Sequence, residues 1–177
     1  MFVFFYMLII LCLSRAQMSE SDKKLFLDSH NTFRRMLRLG QVQGQPKAKA
    51  MPDLVWNNVL ERKAQGHANK CKFKHDSYEN RKTKNFKYVG QNIYGGSDFR
   101  RAVDSWFDEH KSYSYKKNGS KNNKQVGHYT QIAWAKTINL GCAVKDCTGV
   151  GGYKYKYLVV CNYGPAGNFN GQKPYRV

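Results

Sequence analysis

The stretch from Gly127 to Trp134 places a histidine where an imidazole could do chemistry. Thirteen mostly polar and basic residues, Ser114 to Val126, precede it, and His128 directly follows the glycine. Segments of β type follow the tryptophan, so the core can support the ring while one side faces a cleft. A neutral imidazole in that setting can bind a metal ion or transfer a proton. A lone histidine is more often structural, so the rest of the chain must decide.

A carboxylate is predicted to lie within reach of such a site. Apolar residues at helical spacing predict a third helix over about Asp98–Tyr113. Glu109 comes three residues after Trp106, which belongs to the buried face, so its side chain lies at the edge of that face. There a carboxylate can be partly buried and still reach a functional group. Two other histidines, His30 and His67, lie on helix faces and are predicted to have structural roles.

Two helices are predicted before this region. The first covers Ser19–Leu39, with acidic residues near its start, arginines near its end and Gly40 after it. A loop rich in Gln, Lys and Gly follows over Gln41–Pro52. The second helix is predicted over about Asn57–Cys71, with an apolar stripe that leads to its final cysteine. Between the second and third helices, Gly90–Gly96 is predicted to be a turn-rich segment.

The last third of the chain predicts a β-hairpin. Strands over Leu140–Cys147 and Tyr153–Tyr163 flank Gly151–Gly152, which suits a two-residue turn. This register places Cys142 opposite Cys161. Residues that face each other across adjacent strands are close enough for a disulfide.

The N-terminus predicts export. Phe2–Leu13 is a run of twelve apolar residues, too short to span a bilayer and right for a signal peptide. Small residues at Ser14 and Ala16 place cleavage after Ala16; a membrane anchor is the alternative. Residues 1–16 are therefore predicted to be a signal peptide and residues 17–177 a single secreted domain.

Cysteine usage agrees with export. Cys12 leaves with the signal peptide, and an even number of cysteines in an exported chain predicts disulfides. Four cysteines can pair in three ways, and the hairpin register favours Cys142–Cys161, which leaves Cys71–Cys147. The spacings do not suit a zinc cluster, because only one pair of cysteines is close in sequence.

The chain is strongly basic. Its formal net charge is +18, and removal of Arg15, the only charged residue of the signal peptide, leaves +17. Such a charge favours anionic partners, with sulfated glycans or acidic lipid surfaces expected ahead of nucleic acid; the alternative is a soluble surface without a dedicated partner. One basic cluster was selected as a candidate glycan site: Arg81, Lys82, Lys84 and Lys87. An acceptor sequence for N-linked glycosylation begins at Asn118.

Two long stretches resemble the signatures of one family. Gly127–Thr137 (GHYTQIAWAKT) is similar to the first signature of the CAP superfamily, and Val160–Phe169 (VCNYGPAGNF) to the second. That superfamily comprises cysteine-rich secretory proteins, insect venom allergens and plant pathogenesis-related class 1 proteins. Three shorter patterns resemble its other landmarks: Cys71-x-Phe-x-His75, Gly90-x-Asn-Ile and Trp106-x-x-Glu109. The resemblance covers essentially the whole mature chain and looks closest to the venom-allergen-like proteins of parasitic worms.

The resemblance implies a fold and a site. The fold is α+β, a three-layer α-β-α sandwich around a small, largely antiparallel sheet. The family site is a cleft with two histidines and two acidic residues, which match His75, His128 and Glu109, with Gln91 where glutamate is usual. We expect weak binding of Zn²⁺ or another divalent cation, because an amide oxygen is a poorer ligand than a carboxylate. The alternative is a hydrogen-bonded polar cluster without metal.

The resemblance also implies a function. It predicts a secreted, non-enzymatic effector that binds lipid and host or membrane components, requires no cofactor and is a monomer or weak homodimer. A fatty acid is favoured over a sterol, because the aromatic spacing of a sterol-binding loop is missing. One alternative is a metal-assisted hydrolase that uses His75 and His128 with Glu109 as base; Gln91 and the lack of a nucleophile argue against it. Another is a module that binds heparin-like sulfated glycans through its charge; nucleic acid is not expected as a partner.

Overall fold

A four-stranded sheet separates two groups of helices in the computed structural model, which describes residues 18–177. In the spatial order β1-β5-β6-β2, its strands are β1 (Val55–Trp56), β5 (Asn139–Asp146), β6 (Tyr157–Gly164) and β2 (Gly90–Gly96). β1 runs parallel to β5, and the other two pairings are antiparallel. A separate two-stranded sheet pairs β3 (Tyr113–Ser114) with β4 (Gly119–Ser120).

Helices cover both faces of this sheet, so the predicted α-β-α sandwich is confirmed. α2 (Asn58–Ala68) packs on β5 and β6 from one side. The larger core lies on the other side, beneath α1 (Glu20–Leu39), α4 (Ala102–Phe107) and α5 (Gly127–Ile132). A one-turn helix, α3 (Tyr78–Arg81), follows α2. α2 approaches the sheet closely, because a Cβ atom at Gly141 would lie 2.2 Å from the amide nitrogen of Glu61.

The sequence of α1 explains its boundaries and its buried polar face. The Ser19 side chain caps the helix by accepting a hydrogen bond from the amide of Asp22 at 3.1 Å. Gly40 has φ 74°, the left-handed conformation that ends many helices. Within the helix, the buried guanidinium of Arg34 donates four hydrogen bonds to backbone carbonyls. These bonds connect α1 to the loop before β1 and to the segment that leaves α5.

Two predicted helices differ in detail from the structure. α2 ends at Ala68, and Cys71 lies beyond it with φ 47°, so the cysteine is outside the helix. The predicted third helix is broken into α4 and two 3₁₀ turns, Phe99–Arg101 before it and Asp108–Ser112 after it. The His110 side chain hydrogen-bonds to the carbonyl of Phe107 at 2.8 Å. Because an α-helix would use that carbonyl in its own ladder, the tighter winding starts there.

β2 corrects the prediction of a turn-rich segment. The whole of Gly90–Gly96 pairs with β6, although its three glycines reduce its intrinsic strand propensity. The first glycine is required by packing, because a Cβ atom at Gly90 would lie 2.0 Å from Oε1 of Gln131. Tertiary contacts therefore decide the conformation of this segment.

The β5–β6 hairpin has the predicted register and a longer connection. Cys142 lies opposite Cys161, as predicted. Strand pairing stops at Asp146, well before Gly152, so the predicted two-residue turn does not form. Two successive turns fill the connection, and Gly149 and Gly152 both adopt φ 77° in them. Glycine tolerates this left-handed conformation at no steric cost, which explains its frequency in the loop.

Several features bear on export. The disulfides Cys71–Cys147 and Cys142–Cys161 both form, with Cα atoms 5.8 and 4.0 Å apart, which confirms the predicted pairing. No helix within residues 18–177 is long and apolar enough to cross a membrane. The signal peptide predicted at residues 1–16 lies outside the described residues.

Candidate functional site

His75 and Gln91 form the first hydrogen-bonded pair of the site. Nδ1 of His75 lies 2.9 Å from Oε1 of Gln91, and since an amide oxygen only accepts, Nδ1 carries the proton and donates. Nε2 of this exposed ring therefore keeps its lone pair. The loop before it is held by the Cys71 disulfide and by the ring of His67, whose Nε2 donates to the carbonyl of Lys74 at 2.7 Å. His67 thus supports the segment that carries His75.

Both ends of the Gln91 amide are hydrogen-bonded. Its Nε2 donates to Oδ1 of Asp76 and to Oδ1 of Asn162, each at 3.1 Å. Its Oε1 accepts from His75 and, at 3.3 Å, from Arg81, which also forms an ion pair with Asp76 at 2.9 Å. A carboxylate cannot donate, so Asp76 fixes the orientation of the amide. A glutamate at this position would direct an oxygen at two acceptors, so the surroundings suit glutamine.

Glu109 and His128 form the second pair. Oε1 of Glu109 accepts from Nδ1 of His128 at 2.7 Å, and Oε2 accepts from the backbone amides of His128 and Tyr129 at 2.9 and 3.1 Å. The carboxylate caps the first turn of α5, where amides without a helical partner favour an anion. Nδ1 is again the donor, so Nε2 of His128 keeps a lone pair. The side-chain nitrogen of Gln125 lies 3.4 Å from that atom.

Strand β2 connects the two pairs. Gln91 and Asn92 are consecutive, so their side chains project from opposite faces of the strand. Nδ2 of Asn92 donates to the carbonyl of His128 and to the hydroxyl of Tyr163, both at 3.1 Å. The Tyr163 hydroxyl donates in turn to Nε2 of His30 at 2.8 Å. Burial lowers the pKa of His30 to about 4 and raises the pKa of Tyr163 well above its ordinary range, so both groups stay neutral at pH 7.

The arrangement presents two imidazole Nε2 atoms. Donation of Nδ1–H to an oxygen is the usual way in which proteins orient a histidine that binds metal through Nε2. The oxygens of Gln91 and Glu109 therefore serve the Nδ1 side of each ring. Within residues 18–177, no group of three or more His, Cys, Asp and Glu side chains is placed to hold a metal ion. The donors fit a weakly bound cation whose protein ligands are the two imidazoles, with water completing its shell.

The predicted glycan cluster is only partly available at the surface. Arg81 turns inward and makes the ion pair described above. Lys82 pairs with Glu79 in the one-turn helix α3. The other two members, Lys84 and Lys87, are exposed and form no ion pair with any residue from 18 to 177.

Asn118, the predicted glycosylation site, lies in the turn between β3 and β4. It adopts φ 53°, a conformation that asparagine tolerates better than most residues. Its side-chain oxygen accepts from the hydroxyl of Tyr113 at 2.8 Å, and its nitrogen donates to the carbonyl of Gln172 at 3.1 Å. Glycosylation of Asn118 stays a prediction.

Sequence reasoning missed several residues that hold the site. Asp76 is next to His75, but its pairing could not be seen among the surrounding charges. Asn162 lies directly across from Gln91 in the β2–β6 pair. It could have been found only if β2 had been identified as a strand. Tyr163 lies in the second family-like stretch, where nothing marked its hydroxyl as a hydrogen-bond partner.

Comparisons with known proteins agree with this geometry. The family model described as CAP, cysteine-rich secretory protein family, matches residues 27–163. Venom allergen 5.02 of Vespa crabro is 41% identical over 171 residues, which cover 89% of this chain and 81% of that protein. The structure of Schistosoma mansoni venom allergen-like protein 4 is similar, with a TM-score of 0.79, 29% identity and coverage of 90% of this chain and 96% of that one. The crystal structure of NaASP2 with Zn²⁺ has a TM-score of 0.74, 32% identity and coverage of 92% and 88%.

Proposed function

The chain belongs to the cysteine-rich secretory protein (CAP) family, and we propose that it acts outside the cell by binding and not by catalysis. The extracellular location is supported by the two disulfides, by the apolar run at residues 2–13 and by the similarity to a venom allergen. One observation carries the binding proposal. Oxygens of Gln91 and Glu109 hold the two imidazoles, and no hydroxyl or thiol among the described residues is hydrogen-bonded to either ring.

The same contacts disfavour a hydrolase. A histidine that activates a serine, threonine or cysteine must be within hydrogen-bond reach of it. Glu109 would have to be the general base, yet its two oxygens already accept three hydrogen bonds from His128 and Tyr129. That carboxylate holds α5 and orients a ring, so it is not directed at a substrate.

The proposal includes weak binding of a divalent cation such as Zn²⁺ through Nε2 of His75 and His128. NaASP2, which is 32% identical to this chain, has been solved with Zn²⁺. The bound ion would supply a positive centre for anionic groups of a partner. Gln125 would have to move, since its side-chain nitrogen lies 3.4 Å from Nε2 of His128. The protein folds around its core and disulfides, so the cation is not required for structure.

The proposal also includes lipid and host components as partners, with a fatty acid favoured over a sterol. Family membership and the lack of the aromatic spacing of a sterol-binding loop support this part. Native mass spectrometry of protein purified without lipid stripping tests it. A bound fatty acid is expected, and a stoichiometric sterol would contradict the preference.

Calorimetric titration with ZnCl₂ tests the cation. We expect His75→Ala and His128→Ala each to weaken binding by about tenfold or more, because each removes one of two nitrogen ligands. His110→Ala is the matched control, since its ring bonds to the carbonyl of Phe107 and to neither pair. Equal affinity in wild type and His75→Ala would overturn the site. Hydrolysis of peptide substrates that disappears in a folded His128→Ala variant would overturn the non-enzymatic proposal.

A further inference from the structure

The last part of the chain carries a strongly unbalanced charge. From His110 to Val177 the sequence contains eleven Lys or Arg residues and one acidic residue, Asp146. Two cavities, of about 570 and 480 Å³, open on the surface formed mainly by this part. They are neighbours, because Tyr115 and Lys173 line both.

Exposed cations border both cavities. The first is bordered by Lys136, Lys173 and Arg176, and the second by Lys116, Lys121 and Lys173. No Asp or Glu side chain lines either cavity. Within residues 18–177, none of these five cations forms an ion pair. The cations are therefore free to meet an external anion.

The walls between the two cavities are fixed in place. The hydroxyl of Tyr115 donates to the carbonyl of Tyr175 at 2.6 Å, and their rings lie 5.0 Å apart. Nζ of Lys173 lies 4.4 Å from the centre of the Tyr115 ring. The amide of Ala135 donates to the carbonyl of Pro174 at 2.8 Å, which ties the C-terminal segment to the end of α5. Little ordering is then required when a ligand binds.

We propose that the two cavities form one groove that binds a linear sulfated glycan of the heparin type. A single small anion could satisfy one or two of the five cations, whereas a chain with repeated sulfates can meet them together. The concave shape favours an extended polymer over a flat anionic membrane. This groove differs from the cluster at Lys82–Lys87 that the sequence suggested, and it does not depend on a cation at His75 and His128.

Two variants with equal charge loss test the groove. The groove variant is Lys116→Gln/Lys121→Gln/Lys173→Gln, and the control variant is Lys82→Gln/Lys84→Gln/Lys87→Gln. Each removes three positive charges from exposed side chains. Because exposed ion pairs are individually weak, we expect the groove variant to bind heparin about tenfold more weakly, with a smaller change in the control. The dependence of log affinity on log salt should become shallower by up to about three in the groove variant.

A second variant tests whether the cavities act together. Lys136→Gln/Arg176→Gln alters only the first cavity and should also weaken heparin binding. Its melting temperature, and that of the groove variant, should match wild type, because the substituted side chains are exposed. Unchanged heparin affinity in this double variant would overturn the single groove. Equal weakening in groove and control variants would mean that net charge alone acts. Binding to phosphatidylserine vesicles that is lost in the groove variant while heparin binding persists would identify a membrane surface instead.

Discussion

Lowering the pH should destabilise the protein through one buried histidine. His30 is fully buried in α1; its Nδ1 donates to the carbonyl of Phe26 at 2.7 Å, and its Nε2 accepts from the hydroxyl of Tyr163 at 2.8 Å. A proton on Nε2 would replace the lone pair that this hydroxyl needs. Burial, assisted by the positive charge of Arg34, lowers the pKa of His30 from 6.5 to about 4.

The sign follows from proton uptake. Between pH 6.5 and pH 4, the unfolded chain binds a proton at His30 that the native state does not bind, so the free energy of unfolding falls as the pH falls. From the two pKa values, the loss is about 2 kcal/mol at pH 5 and about 3 kcal/mol at pH 4. The pKa values of Asp53 and Asp146 are lowered by their hydrogen-bond partners, Arg35 and Thr148. Their contribution is lost only below their ordinary value of 3.8, outside this window.

Urea unfolding at several pH values between 7 and 4 measures this effect. His30→Gln has no group that titrates at this position, so its free energy of unfolding should be lower overall but flatter with pH. An NMR titration of the His30 ring gives the native pKa directly. A native pKa at or above 6.5, or identical pH dependence in wild type and variant, would refute the reasoning.

Three further substitutions test other parts of the structure by chemical unfolding. Arg34→Met leaves four buried carbonyls without a donor and should cost about 3–5 kcal/mol, with Arg34→Lys intermediate; a loss below 1 kcal/mol would contradict this. Gln91→Glu directs an oxygen at Asp76 and should cost about 1–2 kcal/mol at neutral pH without tightening zinc binding; tighter binding would show that the carboxylate reaches the cation. Replacing Cys142 and Cys161 by alanine should cost about 3 kcal/mol from loop entropy, and unchanged stability would contradict that account.

The parts that the sequence predicted well depend on local signals. Ser19 and Gly40 mark the ends of α1 through capping chemistry that needs no distant contact. The hairpin register places Cys142 opposite Cys161 although the connection differs from the predicted turn, because strand pairing preserves the relation between partners.

The parts that the sequence missed depend on distant contacts. Gly90–Gly96 has the glycine content of a turn and becomes a strand because β6 pairs with it along its length. The amide of Gln91 looked like a weakened cation ligand, and its donors meet Asp76 and Asn162, which come from a loop and another strand. His30 was expected to be a packing residue, and it is one, but its bond to Tyr163 depends on the position of β6.

The central claim is that Nε2 of His75 and Nε2 of His128 share one cation. Nitrogen-detected NMR of the imidazole rings during a ZnCl₂ titration tests it directly, because Nδ1 and Nε2 give separate signals. The Nε2 signals of both histidines should shift together and saturate at one equivalent of zinc, while Nδ1 of each ring stays protonated and bonded to Gln91 or Glu109. A shift confined to one histidine, a change at Nδ1, or no change at either ring would contradict the claim.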